Sequence, residues 1–556
     1  MSGFLSKEHI TAASNFNRWL VPPAALAIHL SIGMAYGFSV FWKPLGNALM
    51  GADGKPLAVC AAGATHFSDK LAGTLRALTA TDCNWTQFDL GWMYTLFFVL
   101  LGCSAAIWGG WLERSGPRKA GLVSMVCWCG GLLISAYGVY AHQLWLMWLG
   151  SGVIGGIGLG LGYISPVSTL IKWFPDKRGM ATGMAIMGFG GGAMIGSPLA
   201  TKLMAHFSTP TSVGVWQTFV VLAAIYSVFM LCGSLGYRVP PTNWKPANWL
   251  PPTTQANTMI ATKHVHLNNV HKTPQFWLLW LVLCMNVSAG IGIIGAAAPM
   301  LQETFGGALI NHVGVGFADI KKDADMTAAA AAVGAGFVGI ISLFNIFGRF
   351  AWATSSDKLG RKRTYYIFFI LGAIMYCAAS YVAGFKSLAL FVGCFCVIAS
   401  MYGGGFATIP AYLADMFGTQ FVGAIHGRLL TAWSTAGILG PVVVNYMHDT
   451  RLEKGIPFDQ VYAPIFLVLA GLMVVGFIAN MLIKPVADHY FMTDAELAAE
   501  RKVSHEKALQ NASTQASITS ETNQHPLLVK LAWAAVLIPI SYGVWSTVQK
   551  AWALFS

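Results

Sequence analysis

Residues 344–363 read FNIFGRFAWATSSDKLGRKR. An apolar helical stretch carries one arginine, Arg349, and then breaks into Asp357-Lys358-Leu359-Gly360-Arg361-Lys362. A helix that keeps a guanidinium inside its apolar part and ends in an acid followed by cations reads as a membrane span reaching the cytoplasm. The same device occurs earlier as Gly109-Gly110-Trp111-Leu112-Glu113-Arg114-Ser115-Gly116-Pro117-Arg118-Lys119. The offset is 357 − 113 = 244, and again 360 − 116 = 244. Pro166 and Pro410, Gly183 and Gly427, and Gly196 and Gly440 keep that offset. A constant offset over separate segments marks an internal duplication. In a polytopic membrane protein it points to two parallel halves with a site between them.

Composition agrees. The 556 residues are 55% hydrophobic and 10% charged, too few charges to cover a water-soluble surface. The 61 glycines suit close helix packing in lipid. A formal net charge of +12 raises nucleic acid as a partner, but the cations sit mostly in short loops, which favours membrane orientation instead. No nucleic-acid partner is expected.

The hydropathy pattern predicts twelve spans in two groups of six, followed by a thirteenth. The first runs from Trp19 to Trp42, the eighth from Ala328 to Ala353 and the eleventh from Phe421 to Met447. The segments are 1–237 for the first half, 238–274 for a cytoplasmic linker, and 275–484 for the second half. A cytoplasmic helix and linker follow over 485–526, then an extra span over 527–556. With the N-terminus inside, the cytoplasmic loops collect Arg114, Arg118, Lys119, Lys172, Lys177, Arg178, Lys358, Arg361, Lys362 and Arg363, as the positive-inside rule requires. Thr493 and Glu496 have capping-box spacing, and Asn511–Gln524 is linker-like in composition. The run Leu527–Val548 is apolar all round, which favours crossing over lying on the surface and puts the C-terminus outside. The first span lacks a small-residue cleavage site and is expected to stay as an anchor. Cys60 and Cys83 share one polar outer loop. A bond between them would close it, and free thiols are the other state.

Catalytic motifs are missing: there is no HExxH, no GxSxG and no GxxxxGK[ST]. Two GxGxxG matches, Gly290-Gly292-Gly295 and Gly334-Gly336-Gly339, lie inside apolar helical runs and read as helix-packing glycines. No cofactor or metal is implied, and an enzyme is not expected. The glycine runs before Pro166 and Pro410 allow tight packing, or bending of a gating helix.

The duplicated Gly-x-x-x-acid-x-x-Gly-x-Arg-Lys loop resembles the signature of the major facilitator superfamily, with Glu113 in place of Asp in the first copy and Ala353 in place of the opening Gly in the second. His29-Leu30-Ser31-Ile32-Gly33, Tyr36, Ser39-Val40-Phe41, Phe344 to Arg349 and Gly427-Arg428-Leu429-Leu430-Thr431-Ala432 look like the oxalate/formate antiporter family. The tail from Leu527 resembles a one-helix subunit sometimes associated with such transporters. The resemblance implies an all-α polytopic membrane protein that works by alternating access of two six-helix halves, with an organic anion at the centre.

Arg349 matches the family's substrate-binding arginine. A guanidinium in lipid is costly, and its fork of donors fits a carboxylate. Without a ligand it would snorkel or pair with a structural acid. Aligning on Gly427 to Ala432 puts Trp433 where the family's oxalate exchangers carry a Lys. Arg428, five residues before it, points about 140° away. Tyr36, Tyr163, Tyr402 and Trp433 are candidates to line an aromatic cavity. Glu113, Gly116, Arg118, Asp357, Gly360, Arg361 and Lys362 form the gating motif, with the two acids bracing the cytoplasmic gate against Arg and Lys. His29 is either a packed neutral imidazole or an aid to proton movement. The reading is a secondary transporter of small carboxylates, exchanging anions or moving them with protons, in a bacterial inner membrane. A membrane sensor of small organic anions is the rival.

Overall fold

The computed structural model describes residues 10–13, 16–51, 56–60, 67–210, 212–241, 244–246, 249, 259–320, 322–385, 387–500, 502 and 526–552. Among them are thirteen helices long and apolar enough to cross a membrane, and no strand beyond isolated bridges. In chain order these are α1 Arg18–Leu45, α2 Phe88–Ser115, α3 Pro117–Tyr140, α4 Leu144–Trp173, α5 Arg178–Phe207, α6 Val215–Gly236, α7 Pro274–Ile310, α8 Asp325–Leu359, α9 Arg361–Gly384, α10 Leu388–Phe417, α11 Val422–Leu452, α12 Phe458–Leu482 and α13 Pro526–Gln549. The linker stretch Asn511–Gln524 lies outside the described residues.

Helix starts follow capping chemistry. Asp89 Oδ2 accepts from Thr86 N at 2.7 Å while Thr86 Oγ1 accepts from Asp89 N at 3.2 Å, a capping box that opens α2. Asp323 Oδ1 accepts from Asp325 N and Met326 N at 2.9 and 3.0 Å, so α8 begins earlier than its hydropathy alone marks. The expected box at Thr493 and Glu496 is present: Thr493 N donates to Glu496 Oε2 at 2.8 Å. Between α2 and α3, Gly116 has φ 87°, and between α8 and α9, Gly360 has φ 85°. Both motif turns therefore need a residue without Cβ, and both take it at the duplicated position.

The glycine runs act in packing. A Cβ on Gly158 would lie 2.6 Å from Trp128 N, and one on Gly160 would lie 2.5 Å from Leu101 O. α4 is thus wedged against α3 on one face and α2 on the other. Gly290 faces the Tyr402 ring and Gly292 faces Gly440 O, which is helix contact and not a nucleotide loop. α1 tightens to a 3₁₀ helix over Gly33–Phe41, and α4 passes through a π-helical stretch, Trp148–Gly155.

In the loop between α1 and α2, Cys60 and Cys83 are bonded. Asn84 Nδ2 donates to Leu49 O and Leu57 O at 3.0 and 2.9 Å, and Trp85 stacks on His142 at 4.3 Å. Burial holds the His142 imidazole below its usual pKa.

α13 packs on α1, α5 and α8. Trp533 Nε1 donates to Trp19 O at 3.0 Å, and Lys202 Nζ donates to Tyr542 Oη at 3.0 Å. Val536 joins Leu26, Ala27 and Leu30 in a small apolar cluster. Gly339 of α8 leaves room for Thr547, and Met194 and Ile195 of α5 lie against Gly543.

Helix parity with the N-terminus inside gives a direct test. A membrane-impermeant thiol reagent applied outside intact cells should label Asp82→Cys and leave Arg363→Cys unlabelled. The opposite pattern would overturn the orientation.

Candidate substrate site

The two motif acids each cross to the other half. Asp357, at the end of α8, accepts from Gly179 N at 2.8 Å and Met180 N at 2.9 Å in the first turn of α5. Glu113, at the end of α2, accepts from Gly423 N at 3.0 Å in the first turn of α11. The acids are 244 apart and so are the glycines (423 − 179 = 244), so the duplication recurs as paired contacts. A carboxylate at a helix N-terminus meets free N–H groups and the positive end of the dipole.

Arg361 Nη2 pairs with Asp357 at 2.6 Å, and its Nε pairs with Asp415 at 3.1 Å. Arg178 reaches Asp415 from α5 at 2.8 Å. Glu113 pairs with Lys172 and accepts from Ser168 Oγ at 2.9 Å. These bonds close the two halves at the end that carries the motif loops.

Two of the basic residues expected in the gate work elsewhere. Arg118 Nη2 donates to Leu235 O and Tyr237 O at 3.0 and 3.3 Å. Its counterpart Lys362 donates to Met481 O and Ile483 O at 3.1 and 2.6 Å. Each cation covers the carbonyls at the end of the last helix of its own half, where an orphaned C=O favours positive charge. Proximity to the acids in sequence is not proximity in space.

Above the gate sits Arg349, fully buried. Its Nε donates to Asn345 Oδ1 at 3.0 Å and its Nη1 donates to Ile186 O at 3.2 Å. Nη2 is buried without a hydrogen bond. The guanidinium carbon lies 5.8 Å from the Tyr36 ring centre, 5.9 Å from Phe189 and 5.7 Å from Phe406, within cation–π range. The hydroxyls of Tyr36 and Tyr402 meet at 3.4 Å across the two halves.

Trp433 closes the cage, 4.5 Å from Phe406, 5.3 Å from Tyr163, 5.6 Å from Phe189 and 6.2 Å from Tyr36. Its Nε1 and the Tyr163 hydroxyl are buried without partners. The candidates Arg349, Tyr36, Tyr163, Tyr402 and Trp433 thus converge on one place between the halves. Arg428 turns away and donates to Leu267 O at 2.5 Å. His29 is buried with Nδ1 2.5 Å from Ala185 O and Nε2 3.1 Å from Tyr163 O.

Sequence reasoning missed Phe189, Phe406, Asn345 and His426. Asn345 carried a usable signal, one helical turn before Arg349. Phe406 directly follows the Gly403-Gly404-Gly405 run, and Phe189 looks like any apolar helix residue.

A guanidinium NH2 group buried among aromatic rings without a partner can hold one anionic oxygen, with hydroxyl and indole donors completing its shell. Below the gate, a cavity of about 870 Å³ is lined by Arg178, Lys358, Arg361, Lys362 and Arg363 against Asp176, Asp357 and Asp415. That excess of cations draws anions toward the gate. Among the described residues no cluster suited to a metal ion occurs.

Architecture and gate together define a membrane carrier of two packed halves, and the sequence matches the Major Facilitator Superfamily over residues 57–441 and again over 288–551. The chain belongs to that superfamily. It is 24% identical over 378 residues to YhjX, an uncharacterised MFS-type transporter of Escherichia coli (strain K12), covering 68% of this chain and 83% of that one. It is 25% identical over 354 residues to the oxalate:formate antiporter of Oxalobacter formigenes, covering 62% of this chain and 73% of that one. The fold matches the crystal structure of a bacterial homologue of the iron transporter ferroportin in an outward-facing state. There the TM-score is 0.53 at 12% identity, covering 84% of this chain and 99% of the other.

Proposed function

We propose that this transporter carries small carboxylates by alternating access, across the inner membrane of a bacterium. The observation that carries the reading is Arg349, a buried guanidinium with two nitrogens tied to the protein and Nη2 left to the cage. A buried cation without an acid beside it is stabilised by an anionic ligand. Similarity to the oxalate:formate antiporter supports the same substrate class.

The cage holds one cation, so a monocarboxylate fits better than a dianion, which would leave a net negative charge in a poorly hydrated place. The test is counterflow of labelled formate, oxalate, lactate, pyruvate and acetate in proteoliposomes. At least one monocarboxylate should exchange. A sensor would bind an anion without exchanging it, and that result would reject transport.

Trp433→Lys adds a second cation to the cage. It should shift preference toward oxalate over the best monocarboxylate by about tenfold, or about 1.4 kcal/mol. An unchanged ratio would show that Trp433 does not face the substrate.

A further inference from the structure

We propose that Tyr163 and His426 form a second ligand station between the Arg349 cage and the cytoplasmic gate, where the carboxylate is held together with a proton on His426. The proposal rests on the carboxylate reading above. His426 is fully buried, and neither ring nitrogen has a hydrogen-bond partner. The Tyr163 hydroxyl is buried and orphaned in the same way, and the two rings lie 5.8 Å apart. Buried polar groups are nearly always paired, and in a membrane interior there is little water to replace a missing partner. Three orphaned polar atoms at one contact therefore mark a place built for something that comes and goes.

Position supplies the rest. His426 stands seven residues before Trp433, on the gate side of the turn at Leu430 that divides α11, and both rings touch Tyr163. Three residues before it, Gly423 N is the atom that Glu113 holds in the gate. Tyr163 belongs to the cage wall and touches His426, so an anion leaving the cage for the gate passes from Tyr163 to His426.

A carboxylate only accepts hydrogen bonds. A neutral imidazole has one donor, whereas an imidazolium has two. An anion at the station therefore favours a protonated ring. The proton comes from the outer solution onto a ring nitrogen as the anion arrives, and both leave to the cytoplasm. No bond in the substrate changes, and one H⁺ accompanies one RCOO⁻.

The other titratable groups facing His426 are few. They are Tyr163 from α4 and His29 from α1, the latter with both nitrogens against carbonyls. From α2, Glu113 is engaged at the gate by Gly423, Ser168 and Lys172. From α10, Asp415 is engaged by Arg178 and Arg361.

The test uses the full chain in proteoliposomes with labelled formate, lactate, pyruvate and acetate, each alone. Two readouts are taken: counterflow at equal pH, and net uptake driven by an inward proton gradient. With one proton per anion, a gradient of about one pH unit supports about tenfold accumulation. The unmodified protein should show both readouts. His426→Gln should slow counterflow severalfold and lose gradient-driven accumulation altogether, whereas Tyr163→Phe should slow both readouts and still accumulate. Full acid-driven accumulation by His426→Gln would overturn the proposal. So would counterflow without proton-driven uptake in the unmodified protein. Loss of counterflow in a monodisperse, membrane-inserted His426→Gln would make the residue part of the gate and also overturn it. Absence of counterflow for all four anions in the unmodified protein would instead reject the carboxylate reading, and the station with it.

Discussion

Arg349→Gln should abolish carboxylate exchange, by about a hundredfold or more, while the protein remains folded and inserted. Truncating one partner of a desolvated, hydrogen-bonded charge pair costs about 2–5 kcal/mol, and here the other partner is the substrate. Gln keeps a donor but loses both the charge and the planar fork. Arg349→Lys keeps the charge alone, so it should fall between the two. Both variants free Ile186 O and Asn345 Oδ1 from the bonds that Arg349 makes, so some stability should be lost as well. The measurement that separates the effects is substrate-dependent thermal stabilisation. It should vanish in Arg349→Gln even where the ligand-free protein melts only a few degrees lower. Undiminished exchange by Arg349→Gln would remove the arginine from the site.

Asp357→Asn should have the second large effect, on the balance of states. Asp357 accepts from two backbone N–H groups at the start of α5 and pairs with Arg361. Asn retains one acceptor oxygen and no charge. Removing one partner of a buried ion pair costs up to about 3–5 kcal/mol, less at this part-exposed pair, and opening of this side would separate Asp357 from α5. The variant should shift the equilibrium about a hundredfold toward the cytoplasm-open state. A cysteine at Thr182, buried in α5 with its hydroxyl on Ala407 O across the halves at 2.6 Å, reports this. Its reaction with a thiol reagent from the cytoplasmic side should accelerate when Asp357→Asn is added. An unchanged rate would mean that Asp357 does not hold the gate.

The duplication was legible because backbone geometry repeats with it. Gly116 and Gly360 share one positive φ, and the acids Glu113 and Asp357 share one kind of target. Arg349 was legible because a cation in an apolar helix needs a reason. What escaped is what depends on partners. Phe189 and Phe406 become cage walls only because α5 and α10 bring them to Arg349, and nothing local distinguishes them from lipid-facing or packing aromatics. Arg118 and Lys362 were placed in the gate by their neighbours in sequence, while the ends of α6 and α12 claim them in space. The Cys60–Cys83 bond depends on how the loop before α2 folds back on itself, with Cys60 N on Asn84 O, which spacing alone does not show.

The hydrogen bonds that hold α13 run to the first half, from Trp533 to Trp19 and from Lys202 to Tyr542. Against α8, the methyl of Thr547 lies over Gly339. Directional bonds resist sliding and smooth apolar contacts permit it. Should the halves move against each other, these bonds predict that α13 travels with α1 and α5.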